Sequence, residues 1–124
     1  VLSYRVFFFT LYSMGLRLGE GLRLQIGDID AARSRVHIRN AKGLKDRLVP
    51  LPNATLQLLR SFWRIHRNPR LLFPNRSQGL AGAARVTTPL DRGGVQVALR
   101  RVATSLAIKK TSRPTAFATA TPHT

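Results

Sequence analysis

The chain of 124 residues has no cysteine, one methionine, one tryptophan and only five acidic residues. Without thiols it can form neither a disulfide framework nor a thiolate zinc site. The three histidines and five carboxylates are scattered without the spacing of metal ligands, so we assign no metal and expect no cofactor.

Positive charge is what the chain has in excess. The 21 lysines and arginines give a formal net charge of +16 and a pI near 12. A surplus of this size on a short chain favours a polyanionic partner, because neutralised phosphates release counterions on binding. Composition alone does not choose between DNA and RNA, and it leaves open a basic protein that is merely soluble.

The length allows one domain at most, with enough apolar content (44%) for a modest core. Residues 1–15 are apolar, but the segment is too short to span a bilayer and Arg5 interrupts it. No cleavage site of small residues follows it. We interpret it as a buried core helix and expect a cytoplasmic protein that does not contact a membrane. Because the chain starts at Val1 and enters a core helix directly, we expect the interior of a longer protein.

Local patterns predict a helix–hairpin–helix order. Helices are expected over residues 2–13, 17–24, 53–66 and from about 88 to 108. Basic and apolar residues alternate from Arg35 to Arg39, which predicts a strand with one solvated face, and residues 46–51 form the returning strand. The solvated face would carry Arg35, His37, Arg39, Lys45 and Arg47, a set suited to phosphates.

Further expectations are Asn53 as an N-cap, Tyr4 and Tyr12 in the core, and an apolar stripe of Val95, Leu99, Val102 and Leu106 on the last helix.

Two short strings carry most of the functional information. The first, GLRLGE at residues 15–20, places Arg17 at the start of a helix with Glu20 one turn later. An isolated arginine of this kind is usually a surface residue, but here backbone N–H groups would face the same anion as its guanidinium. The second, NAKGLKDRLVPL at residues 40–51, places Lys42 at the tip of a basic hairpin. A lone lysine–glycine turn is a weak signal, whereas the whole string is far more specific.

Together the two strings resemble the front half of the catalytic domain of tyrosine recombinases, the phage-integrase and Xer-type family. The resemblance covers residues 1–110 as a partial catalytic domain. It implies a mainly α fold with a small antiparallel β-sheet (α+β). It also implies site-specific DNA recombination or integration without metal or cofactor, through a phosphotyrosine intermediate. The implied partner is double-stranded DNA, on which the family assembles as a homotetramer.

The resemblance also implies roles for individual residues. Arg17 would clamp the non-bridging oxygens of the scissile phosphate, and Lys42 would protonate the departing 5′ oxygen. Lys45, Arg47 and Arg39 would contact the DNA backbone, and Glu20 would support Arg17.

The family's second motif, His-x-Leu-Arg-His followed by Ala-Thr-His, does not occur in the sequence, and neither does a tyrosine placed to be the nucleophile. Residues 111–124 instead form a tail without periodicity, which we expect to be disordered. With one choice of synonymous codons, these residues read from the third base give V-T-P-H-S-L-R-H-S-Y-A-T-H. We therefore hypothesise a reading-frame shift near Lys110 in a truncated recombinase gene. The chain alone is then expected to be inactive, and the alternatives are a non-catalytic basic nucleic-acid-binding module or a fragment that does not fold.

Overall fold

The computed structural model describes residues 2–39 and 45–111, with side chains up to residue 104. Lys42 and residues 112–124 of the predicted tail (111–124) lie outside the described residues. The chain divides into two compact units, with the boundary between Arg92 and Gly93. Within the described ranges, no helix is both long and apolar enough to cross a membrane.

The first unit holds three helices and a small sheet. Its helices are α1 (Leu2–Met14), α2 (Leu18–Leu22) and α3 (Asn53–His66), and its strands are β1 (Ile29–Asp30), β2 (Arg35–Ile38) and β3 (Arg47–Pro50). The strands pair antiparallel in the order β1-β2-β3, with Val36 opposite both Ile29 and Val49. Short 3₁₀ turns occupy Ile26–Asp28 and Ala83–Arg85, and helix α4 (Arg92–Thr111) begins at the end of the unit. The predicted fold class, mainly helical with a small antiparallel sheet, is confirmed.

Helix α1 ends at a glycine in the left-handed conformation, Gly15, with a φ of +65°. A residue with a Cβ atom adopts this conformation only at a cost, so glycine is the natural stop. The following turn brings α2 back against α1. A methyl group on Gly21 would collide with Leu11 and crowd the ring of Phe7, so the small residue permits this close approach.

Three phenylalanines form the centre of the core. The Phe73 ring packs edge-on against Phe7 with centroids 5.0 Å apart, and it lies 6.0 Å from the Phe62 ring. All three side chains are buried. The Ser13 and Thr55 hydroxyls share a hydrogen bond of 2.7 Å that ties the end of α1 to the first turn of α3.

Several local predictions were wrong. Tyr12 is 89% exposed, because it lies on the face of α1 opposite the buried residues Thr10 and Met14. The second helix has five residues rather than eight, since the chain turns at Arg23 and enters the 3₁₀ turn. Asn53 is the first residue of α3, and Pro52 occupies the cap position.

Of the three residues of the predicted α4 stripe whose side chains are described, two are exposed and Val95 is buried. Leu99 and Val102 are both exposed, and the side chain of Leu106 lies outside the described part. Among the described residues, α4 is the only element of the unit that begins at Gly93. This unit therefore offers no second element that could cover Leu99 and Val102.

The segment after α3 is organised by Asn68, which is 1% exposed. Its amide nitrogen donates to the carbonyls of Ala83 (2.8 Å) and Val86 (2.9 Å). Its amide oxygen accepts from the backbone N–H groups of Arg70 (3.0 Å) and Leu71 (2.8 Å). One side chain thus holds together stretches of loop that are 15 or more residues apart along the chain.

His66 makes the stability of this core dependent on pH. Its ring is buried, its Nδ1 accepts the Asn68 N–H (2.9 Å), and burial lowers its pKa from 6.5 to about 4. Between these two pH values the unfolded chain binds a proton that the folded chain does not. The free energy of unfolding should therefore fall by about 3 kcal/mol as the pH drops from 6.5 to 4.

Urea unfolding at several pH values measures this loss. His66→Gln keeps a hydrogen-bond acceptor without a titrating ring, so its stability should change much less across the same window. The titration of Asp30 does not contribute to the loss of stability between pH 6.5 and 4. The backbone N–H of Arg33 lowers its pKa below 3.8, so its contribution is lost only at lower pH. An equal pH dependence in His66→Gln would contradict the assignment.

Candidate phosphate-binding site

Arg17 occupies the N-cap position of α2 in an extended conformation, with φ −80° and ψ 156°. Its side chain is exposed, and no hydrogen bond from its guanidinium is found within the described part of the chain. Because α2 has only five residues, the helix dipole adds little here. The guanidinium itself must supply most of the attraction for an anion.

Glu20 fixes the backbone beneath Arg17. Its carboxylate is 6% exposed, and its Oε1 accepts the backbone N–H of Arg17 (2.9 Å). The same oxygen accepts Nη2 of Arg47 (3.0 Å), which lies on β3. One buried carboxylate therefore connects the Arg17 loop to the hairpin. The supporting role of Glu20 stays a prediction, and these are the contacts such a role requires.

Unlike that of Arg17, the side chains of the other two arginines predicted to bind DNA are held by carboxylates or carbonyls. Arg39 donates through Nη2 to the Arg23 carbonyl (2.6 Å) and to Oδ2 of Asp28 (3.1 Å). Arg47 has the bond to Glu20, and both side chains remain partly exposed. A guanidinium has five N–H donors, so each arginine keeps donors that could face a phosphate.

The two lysines of the predicted site differ in what the structure shows. Lys45 is exposed and comes two residues before β3. Lys42, the predicted general acid, lies outside the described residues, so its position relative to Arg17 stays a prediction.

One face of the hairpin is less suited to phosphate than its sequence indicates. It borders an open cleft of about 670 Å³. In this cleft His37 Nε2 lies 2.9 Å from Asp46, and Arg35 Nε lies 3.6 Å from Asp30. These two basic side chains have carboxylate neighbours, so the cleft carries mixed charge. The acidic partners come from the hairpin itself (Asp46) and from the neighbouring strand β1 (Asp30), and the alternating pattern of residues 35–39 did not reveal these pairings.

Sequence reasoning missed two further guanidiniums at the site. Those of Arg23 and Arg92 lie beside Gly19, in the first turn of α2, next to the loop that holds Arg17. Nothing in the local sequence brings them together, since Arg92 is far along the chain.

Comparisons with known proteins show what the chain is similar to. The model of the phage integrase family matches residues 2–124, which includes the segment where a frame shift is hypothesised. A Sinorhizobium fredii protein named integrase/recombinase y4qK is 38% identical over 78 residues, or 63% of this chain and 25% of that protein. Tyrosine recombinase XerA of Thermococcus onnurineus is 40% identical over 58 residues, or 47% of this chain and 21% of that protein.

A solved structure shows the same fold. The crystal structure of XerA recombinase superposes with a TM-score of 0.52, covering 70% of this chain and 39% of that one, at 22% identity. The chain spans about a quarter of the length of the curated relatives. The family match extends over nearly all of the sequence. In the structure, Arg17 of the first string is the N-cap of α2 and Glu20 lies in this helix. The chain therefore belongs to the phage integrase family, that of the tyrosine recombinases.

Proposed function

We propose that this chain holds the scissile phosphate of double-stranded DNA in a site-specific recombinase, with Arg17 as the phosphate clamp. The observation that carries the proposal is the combination of an exposed guanidinium on Arg17 and a backbone anchored to the buried Glu20. An arginine can give two parallel hydrogen bonds to one phosphate, which a lysine cannot do. Such bonds stabilise the charge that develops as the phosphoryl group is transferred.

Lys42 would supply the proton for the leaving 5′ oxygen, and Lys45, Arg47 and Arg39 would contact neighbouring phosphates. Contacts of this kind set the position of a protein on the duplex without reading its sequence. The sequence contains neither the second arginine–histidine motif nor a tyrosine placed for attack. The chain by itself is therefore expected to bind DNA without cleaving it.

Replacing Arg17 tests the clamp. Arg17→Ala should weaken binding to a duplex and lower the slope of log K against log salt by about 0.9, because one phosphate contact is lost. Arg17→Lys should keep the slope but not the full affinity. Fluorescence anisotropy at several salt concentrations measures both quantities.

Arg5→Ala is the matched control, since Arg5 is an exposed arginine on α1. The competing proposal, a non-catalytic basic module, predicts equal losses in Arg17→Ala and Arg5→Ala, with Arg17→Lys unchanged. That result would contradict the clamp.

The nucleotide sequence of the gene tests the frame-shift hypothesis for the absent motif. Sequencing across the codons of residues 105–124 and beyond should show another frame that encodes the arginine–histidine motif, followed by a tyrosine in a helical context. If no frame does so, the frame-shift hypothesis is wrong.

We also propose that copies assemble on DNA as a tetramer in the cytoplasm. The family resemblance implies the tetramer, and the interpretation of residues 1–15 as a core helix implies the cytoplasm. Analytical ultracentrifugation of the chain with a duplex should then show four copies on the DNA.

A further inference from the structure

Two arginines from distant parts of the chain converge on one point beside α2. A methyl group on Gly19 would lie 2.9 Å from Nη2 of Arg92 and 3.2 Å from Nη1 of Arg23. The two nitrogens are therefore at most about 6 Å apart. Because Gly19 has no side chain, both guanidiniums can rest against the first turn of α2.

This convergence lacks a neutralising carboxylate. Among the described residues, no carboxylate lies within 4.0 Å of either guanidinium, and the nearby Glu20 pairs with Arg47 instead. The Nε atom of Arg23 is buried and has no hydrogen-bond partner in the described part of the chain. Two like charges this close repel each other, and an unsatisfied buried donor adds to the cost. An anion between the guanidiniums would relieve the repulsion.

The structure assigns a second phosphate site to this chain, which we propose is formed by Arg23 and Arg92 over Gly19. It takes one backbone phosphate of the DNA, next to the phosphate held by Arg17, and so rests on the proposed function. Charged N–H···O bonds of about 2.7–2.9 Å allow one phosphate to bridge two nitrogens about 6 Å apart. The site fixes the register of the duplex on the protein, because such contacts position DNA without reading its bases.

Gly19→Ala provides a test that removes no charge. The new methyl group meets only the flexible tips of two arginine side chains, and α2 favours alanine over glycine. The fold should therefore be retained while the two guanidiniums are displaced. We expect about a three- to tenfold loss of duplex affinity in low salt, and a salt slope smaller by about 0.9.

Arg23→Gln and Arg92→Gln test whether one phosphate is shared. If it is, the double variant should lower the salt slope by about 0.9, because one phosphate contact is lost, and neither single variant should lower it by more than that. A double variant that lowers it by about twice as much means two separate phosphates and overturns the shared site. Arg5→Gln, on the exposed face of α1, is the matched control. If all three variants have the same salt slope as Arg5→Gln, the shared site is also overturned.

Inorganic phosphate separates this inference from the proposed function. At constant ionic strength, replacing chloride by phosphate should raise the melting temperature of the wild type and of Arg17→Ala, but not that of Gly19→Ala. If the phosphate response holds while Arg17→Ala binds DNA like the wild type, the clamp fails and the second site stands. An equal response in Gly19→Ala overturns the second site, whatever the result for Arg17.

Discussion

Asn68→Asp is expected to unfold much of the first unit, lowering the free energy of unfolding by on the order of 4 kcal/mol. The amide nitrogen donates to two carbonyls, and a carboxylate oxygen in its place would face the same two acceptors. Both carbonyls would lose a partner, and a negative charge would be buried where the side chain is 1% exposed. Natural domains are stable by only about 5–15 kcal/mol, so this is a large share.

Asn75→Asp is the matched control. Asn75 also uses its amide, donating to the Pro89 carbonyl (3.2 Å) and accepting the Ser77 N–H (2.7 Å), but it is only half-buried. Water can solvate the new charge, so this variant should lose much less stability. Urea denaturation with a tryptophan fluorescence signal measures both, since Trp63 donates to the Asn68 carbonyl. Equal losses in the two variants would contradict the central role of Asn68.

Glu20→Ala is expected to destabilise the chain by about 2–4 kcal/mol, because it leaves two donors without an acceptor. These are the backbone N–H of Arg17 and the guanidinium of Arg47. The loss should also loosen the Arg17 loop, so the Arg17 contribution to duplex binding should shrink in this background. A double-mutant cycle of Glu20→Ala and Arg17→Ala measures that coupling.

Glu20→Gln separates the hydrogen bonds from the charge. Its amide oxygen can still accept one or both bonds, so it should retain part of the stability that Glu20→Ala loses. Asp30→Asn is the control for removing a carboxylate from an exposed ion pair, which contributes little. Additive effects of Glu20→Ala and Arg17→Ala on binding would show that Glu20 does not position the clamp.

Local signals predicted the elements whose structure depends on neighbouring residues. The alternation of basic and apolar residues predicted β2, and local patterns predicted helices at the places of α1 and α3. The two-residue strand β1 was missed because its formation depends on pairing with β2 rather than on its own sequence. Tyr12 was misplaced because the apolar character of α1 does not reveal which face the core covers.

The site divides in the same way. Arg17 and Glu20 were recognisable together because they are three residues apart, and their contact is one of helix geometry. The bond between Glu20 and Arg47 joins residues 27 positions apart. No periodicity in the sequence predicts that pairing. Asn68 gave no signal beyond that of an ordinary loop residue, since its partners lie 15 and 18 residues away.

The sequence by itself determined the fold class, the family and the first arginine of the site, because these depend on local pattern and on short strings of fixed spacing. Only the tertiary structure decided which cations are paired and which remain available. Arg39 and Arg47 are bound to carboxylates, whereas Arg23 and Arg92 meet over Gly19. Charge pairing acts through space over a few ångströms, and distances through space between residues far apart in the sequence exist only once the chain has folded.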